Sequence, residues 1–261
     1  MLKANDIIQM MEKWAPTELA ETWDNIGFQV GDESMRVNKI LIALDIDHRV
    51  VKKAIDEDYH MIITHHPFIF NGVKHITNLD YDGKILMDLI KNDIIIYNAH
   101  TNLDQTISGV NEELGKLFQL KDSEIIVENE ENDKYGYGKV GNINKIKLED
   151  YIYEIKRILD VERVTVYGDI EKEIERVALI GGSGASFIED VALTGADLFI
   201  TGDIKYHDAQ KAEKLGLTLV DAGHFHTEKV VLPVIKEQLK ELEEDLTLSI
   251  YEKSSPIYKI Y

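Results

Sequence analysis

Two adjacent histidines stand where a buried strand has to end. Ile62-Ile63-Thr64 is apolar and β-branched, and His65-His66-Pro67 follows it directly. A strand that ends in His-His presents imidazoles at a sheet edge, where α/β proteins bind ligands. Successive strand residues point to opposite faces, so both rings can serve one small centre only if the chain leaves the strand there. Pro67 forces that departure. Imidazole pairs of this kind suit transition-metal ligation, and two metals side by side would give both rings a use.

Further ligand types recur in similar places. Six of the nine histidines, namely His65, His66, His100, His207, His224 and His226, fall just after an apolar run or early in the helix that follows it. His48, His60 and His75 do not, and they read as ordinary surface or core residues. His224 and Glu228 are four apart, which on a helical turn puts imidazole and carboxylate on one face. Pro233 lacks the N–H that would bond Lys229, so this turn is expected to be short or kinked. Asp104 closes a polar loop where a carboxylate can bridge two cations. His65, His66, His224, Asp104 and Glu228 make up a mixed nitrogen and oxygen set that suits zinc, manganese, iron or cobalt better than calcium or magnesium. The spacing fits a purely structural use equally well, with His65 and His66 capping a sheet edge and His224 capping a helix.

Gly181-Gly182-Ser183-Gly184 lies between an expected strand and an expected helix. Backbone N–H groups of such a loop can hold phosphate. The loop lacks the ending of a P-loop and the spacing of a dinucleotide fingerprint, and a tight strand-to-helix turn accounts for it more simply. Thr201-Gly202-Asp203 is followed by His207, which suits a general acid or base, a substrate-orienting group or a solvent-exposed helix residue. Trp23-Asp24-Asn25 fits support for a site and a helix-entry turn equally well.

The elements that must position these residues follow from hydrophobic period. Helices are expected over residues 5–14, 48–55, 84–90, 109–118, 148–159, 186–193 and 203–215, with a long one running to Leu246. Buried strands are expected over 39–45, 62–64, 94–99, 163–167, 176–180, 197–201 and 217–220, with a last one over 248–251. Trp23 to Gly27 reads as a polar turn. The alternation with short connections implies parallel sheets covered on both faces. The acidic stretch Glu128 to Asp133, followed by Gly136, Gly138 and Gly141, is the expected domain boundary. The fold class is α/β, with two α/β subdomains and a metal-binding cleft between them. Residues 1–127 plus 225–261 form the first, and residues 128–224 form the second.

Composition removes several function classes. With Lys+Arg 29 against Asp+Glu 48 the formal charge is −19, which disfavours nucleic acid and anionic membrane as partners. There are no cysteines, so disulfides, thiolate zinc sites and a cysteine nucleophile are excluded. The amphipathic start, Met1 to Pro16, has no apolar signal region, and no run approaches the ~20 apolar residues of a membrane span. The expectation is a soluble, cytoplasmic protein.

Taken together, Trp23-Asp24-Asn25-x-Gly27, Thr64-His65-His66-Pro67, His100-Thr101-Asn102-Leu103-Asp104, Gly-Gly-Ser-Gly at 181–184, Thr201-Gly202-Asp203 with His207, and Gly223-His224-x-x-Thr227-Glu228 resemble the GTP cyclohydrolase I type 2 homologue family. Its members are also called NGG-interacting-factor-like or dinuclear-metal-centre proteins. The resemblance implies a toroidal homohexamer holding two divalent transition-metal ions per chain, zinc, iron or manganese, on His65, His66, Asp104, His224 and Glu228. It brings His207 to the cleft as the catalytic candidate, with His100, Gly182, Ser183 and Gly184 as substrate-binding candidates. The family usually has Glu where this chain has Asp203. Longer members carry an inserted middle domain, and the short polar stretch near Glu128 leaves no room for it here. The activity implied is metal-dependent hydrolysis of a small-molecule substrate, a nucleotide or phosphoester. Two metals ~3.5–4 Å apart acidify a water and clamp the attacking and leaving oxygens. The other function class compatible with the same residues is a non-catalytic metal-binding or regulatory hexamer.

Overall fold

Ile40, Leu41, Ile42 and Ala43 are all buried, which a strand achieves only when both faces of its sheet are covered. Lys39–Ala43, Met61–Thr64 and Ile95–Asn98 run parallel, and their C-terminal ends align through Ala43↔Thr64 and Thr64↔Asn98. In the computed structural model, which describes residues 2–242 and 245–253, they are the centre of a five-stranded sheet. Thr247–Ile250 extends it in parallel beside Lys39–Ala43. Gly27–Val30 closes the other edge antiparallel to Ile95–Asn98. The sequence reading has only a turn at Trp23 to Gly27, because Phe28-Gln29-Val30 is too short to show a period. Helices His48–Asp56 and Tyr81–Lys91 bury Val50, Val51 and Ala54, and Ile85, Leu86 and Leu89, in one core with Leu41, Ile62 and Ile96.

The second sheet has six strands in the order Lys121–Glu128, Gly136–Lys147, Glu173–Ser183, Leu198–Gly202, Thr218–Asp221 and Thr165–Tyr167. The Glu173–Ser183, Leu198–Gly202 and Thr218–Asp221 strands are parallel, and the rest are antiparallel. Its core gathers Val140, Ala178, Ile180, Phe199 and Leu219 with Ile188, Val191 and Ala212 from the covering helices. Both sheets are therefore mixed, where the alternation of elements implies parallel ones.

Each sheet organises one compact unit. Among the described residues the first comprises the chain up to Leu103 with the segment from Leu232, and the second comprises Asp104–Val231. The divisions thus fall earlier and later than the expected limits at 128 and 224. Lys121–Glu128 pairs with Gly136–Lys147 through Glu128↔Gly136, so the expected linker is the turn of a hairpin inside the second sheet. The glycines that read as a boundary lie within a strand. A Cβ at Gly138 would sit 2.6 Å from Ile126 Cδ1 and 2.7 Å from Ile180 Cγ1. Near the second division, the expected long helix is two helices, His224–Glu228 and Val231–Lys240. Pro233 withholds the N–H that would bridge them. No helix among the described residues is long and apolar enough to cross a membrane.

Asp47 fixes the start of the helix His48–Asp56 that follows Lys39–Ala43. Its carboxylate accepts from Arg49 N at 2.8 Å and Val50 N at 2.9 Å. Burial alone would raise its pKa, but these bonds and the Arg49 guanidinium outweigh that and hold it below its ordinary 3.8. A depressed carboxyl stabilises the fold above its unfolded value and loses that contribution as pH falls through the folded one. Asp47→Ala is expected to cost about 1 kcal/mol at neutral pH. In urea titrations the gap between wild type and variant should close as pH falls below 3.8.

Candidate metal centre

In the first unit, three imidazoles meet beyond the C-terminal edge of the parallel strands. His65 and His66 follow Met61–Thr64, and His100 follows Ile95–Asn98. The chain is turned out of the sheet by Thr64, whose hydroxyl donates to His66 O at 2.8 Å, and by His66 N, which donates to Leu44 O at 3.0 Å. The ring centroids lie 5.0 Å (His65–His66), 5.2 Å (His65–His100) and 5.5 Å (His66–His100) apart. One ligand atom from each ring lies within 4.8 Å of the other two.

Every Nδ1 in this cluster faces an acceptor. His65 Nδ1 is 3.0 Å from Ala99 O, His66 Nδ1 is 2.7 Å from Asp45 Oδ1, and His100 Nδ1 is 3.0 Å from both oxygens of Asp24. A carbonyl or carboxylate only accepts, so Nδ1 carries the proton and Nε2 is the atom each ring offers a cation. Asp24 is held in turn: Thr101 N donates to it at 3.1 Å and the Thr101 hydroxyl at 2.6 Å. Its burial would raise the carboxyl, but the bonds from His100 and Thr101 win and hold it at about 2. Asp24 thus buttresses the site, the first of the two uses that Trp23-Asp24-Asn25 suggests.

In the second unit, the segments that leave the parallel strands Leu198–Gly202 and Thr218–Asp221 bring a histidine between two carboxylates. His224 opens the helix His224–Glu228. Its Nδ1 is 2.7 Å from Asp203 Oδ2 and its Nε2 is 2.9 Å from Glu228 Oε2. The i,i+4 spacing does place His224 and Glu228 on one face. Glu228 is only 4% exposed, so its carboxylate is a directed group and not a solvated one. Asp203 sits in the left-handed region at φ 59°. Asp221 holds that turn by accepting from Ile204 N at 3.0 Å and Gly223 N at 2.9 Å, joining the segments that carry Asp203 and His224. Asp203 therefore has a defined partner.

The glycine loop has a spatial use. A Cβ on Gly182, itself at φ 66°, would overlap Glu228 Oε1, and one on Gly202 would overlap the His224 amide nitrogen. The N–H groups of Gly181, Gly182 and Gly184 donate to Asn111 Oδ1, Thr227 Oγ1 and Thr201 Oγ1 at 2.9–3.0 Å. The loop is the seat of Glu228, and these donors are already engaged within the protein. Ser183 lies exposed at the strand end. Asn111 also donates to Asp104 O at 2.9 Å, so one side chain ties the Asp104 segment to the glycine strand. His207 is exposed on the first turn of Tyr206–Lys214, with Nδ1 3.1 Å from Gln210 Oε1.

The first cluster by itself has the donor set of a transition-metal site, and the second offers an imidazole beside a buried carboxylate. The donors are imidazoles with Nδ1 anchored, or imidazole and buried carboxylate, and a cradle without side chains makes room for the carboxylate. Sequence reasoning missed Asp45, Asn111 and Thr201 as positioning groups. Asp45 carried a signal, an acid at the end of an expected buried strand. Asn111 carried none, because its partners are remote in sequence.

The family model Duf34/NIF3 (NGG1p interacting factor 3) matches residues 2–256. A Clostridium perfringens protein called GTP cyclohydrolase 1 type 2 homolog is 37% identical over 241 residues, covering 92% of this chain and 92% of that one. The crystal structure of a Bacillus cereus protein related to NIF3 superimposes with a TM-score of 0.94 at 26% identity, covering 100% of this chain and 99% of that one. Reduced HcgD from Methanocaldococcus jannaschii gives 0.82 at 34% identity, covering 96% and 98%.

The Asp203–His224 contact has a measurable consequence. Asp203→Gly removes the carboxylate and suits the left-handed backbone. It is expected to weaken Co²⁺ or Zn²⁺ binding about 10–100-fold, read by competition with a chromogenic chelator, and to leave the circular dichroism spectrum unchanged.

Proposed function

The chain belongs to the Duf34/NIF3 family, and on that premise we propose that it is a metal-dependent hydrolase of a nucleotide or phosphoester. His65 and His66 of the first unit and Asp104, His224 and Glu228 of the second are proposed to ligate two divalent transition-metal ions. The observation that carries this reading is the triad of His65, His66 and His100, each ring fixed through Nδ1 with its ligand atom within 4.8 Å of the others. Such ions, when bound, supply Lewis-acid polarisation and an acidified water.

The protein's own groups have separable tasks in this reading. Ala99 O and Asp45 hold the His65 and His66 imidazoles in one tautomer and one direction, and Asp203 orients the His224 ring through Nδ1. Glu228 and Asp104 supply negative charge against the cations. His100, held by Asp24, faces the substrate beside His65 and His66. His207 is exposed and has a ring nitrogen within reach of Gln210, so it is proposed to carry or position a proton.

A mutant series separates these tasks. Glu228→Ala should lose metal and turnover together, by elemental analysis and by a screen of nucleotides and phosphoesters. His207→Ala should keep its metal and slow turnover by ~10²–10⁴-fold. Full activity in His207→Ala would leave that residue a surface histidine. A wild-type protein that holds metal but turns over nothing in the screen would make the chain a metal-binding or regulatory protein.

The assembly proposed is a homohexamer. Light scattering at micromolar concentration should give six times the 29.8 kDa chain mass, and a stable monomer would refute it.

A further inference from the structure

Trp23 is 58% exposed and Phe70 is 47% exposed, although two rings of this size gain most from being buried. They are not loose surface residues. Their ring centroids are 6.0 Å apart with planes tilted by 50°, and Trp23 also meets His100 edge-on at 6.3 Å. His100 in turn touches His65 and His66, so the aromatic pair continues the surface of the histidine triad.

Both rings are held from behind. The neighbour of Trp23 in the chain is Asp24, whose side chain is wholly buried under His100 and Thr101. The neighbour of Phe70 is Ile69, whose N–H donates to Gln29 Oε1 at 2.9 Å and whose carbonyl accepts from Gln29 Nε2 at 3.2 Å. The Asn25 amide also donates to Ile69 O, and Gln29 Nε2 donates to Asn25 O at 2.8 Å. These bonds tie the Trp23 loop to the Phe70 loop, so the exposed faces are presented in a fixed arrangement before any ligand arrives.

We propose that Trp23 and Phe70 form a stacking site for the planar heteroaromatic ring of a small molecule, set against the His65–His66–His100 triad. Aromatic faces fixed in this way recognise flat rings by stacking, largely without regard to ring substituents. The formal charge of −19 disfavours a polyanionic strand and leaves a small ring-bearing molecule as the occupant. The site deepens the hydrolase reading by narrowing the substrate to compounds that carry such a ring. It rests on that reading only for the role of the histidines.

Adenosine and guanosine monophosphates are suitable probes, with ribose 5-phosphate as the ring-free control. The chain has two tryptophans, Trp14 and Trp23. Both nucleotides should quench fluorescence saturably, ribose 5-phosphate should not, and Trp23→Leu should abolish the quenching. In calorimetry, Phe70→Ala should raise the Kd about tenfold, with the circular dichroism spectrum unchanged in both variants. No quenching in the wild type, equal binding of ribose 5-phosphate, or undiminished affinity in both variants would overturn the site. So would a fall in assembly mass in both variants with nucleotide affinity retained, since the rings would then cover a second copy of the chain. The same titrations with and without Zn²⁺ keep the two readings apart. Zinc binding without ring binding sinks the stacking site alone, and ring binding without zinc binding sinks the metal-site reading alone.

Discussion

Each of the four imidazoles His65, His66, His100 and His224 has its Nδ1 against a fixed acceptor: a main-chain carbonyl for one, a carboxylate for each of the others. A neutral imidazole has one donor and one acceptor nitrogen, so for His65, His66 and His100 tying down the donor selects the tautomer and the direction of the lone pair at once, whereas His224 has a carboxylate against each nitrogen, Asp203 at Nδ1 and Glu228 at Nε2. Carboxylate acceptors also make the opposite nitrogen a better donor to a cation. The strands, the Thr64 turn and the buried Asp24 can all be understood as holding those acceptors in place. Burying Asp24 costs desolvation energy, and the charge-assisted bonds it accepts from His100 and Thr101 offset that cost.

The parts of this arrangement that the sequence makes legible are those whose signal is local. Ile62-Ile63-Thr64 before His65 announces a strand end, and the four-residue step from His224 to Glu228 announces a shared helix face. Pro233 announces the break between the last two helices, although the apolar pattern ran through it. What stayed hidden depends on distance or on pairing. Asn111 matters because it reaches both Asp104 O and Gly181 N, and no spacing rule predicts that. The hairpin Lys121–Glu128 with Gly136–Lys147 carries so many charges and glycines that it resembles a linker, because exposed antiparallel edges are polar. The short strand Gly27–Val30 exists only because Ile95–Asn98 offers it an edge. In both places tertiary pairing overrides local propensity.

Charge works over a longer range than these contacts. The chain's excess of acids produces a potential that attracts cations and repels phosphates. A cation-loaded centre would reverse that sign locally and become the place where an anion is welcome.

The Glu228 carboxylate occupies space that a side chain at residue 182 would fill, and the His224 backbone does the same at residue 202. The capacity to build this cluster is therefore recorded as much by what is missing as by the histidine and the glutamate themselves. A homologous chain that kept the histidine and the glutamate but bore a Cβ at the two glycine positions would have the ligand alphabet without the room to spell with it. Vacancy at those two positions is thus a stricter criterion than the identity of residues 224 and 228 for sorting relatives that retain this cluster from relatives that keep only its fold.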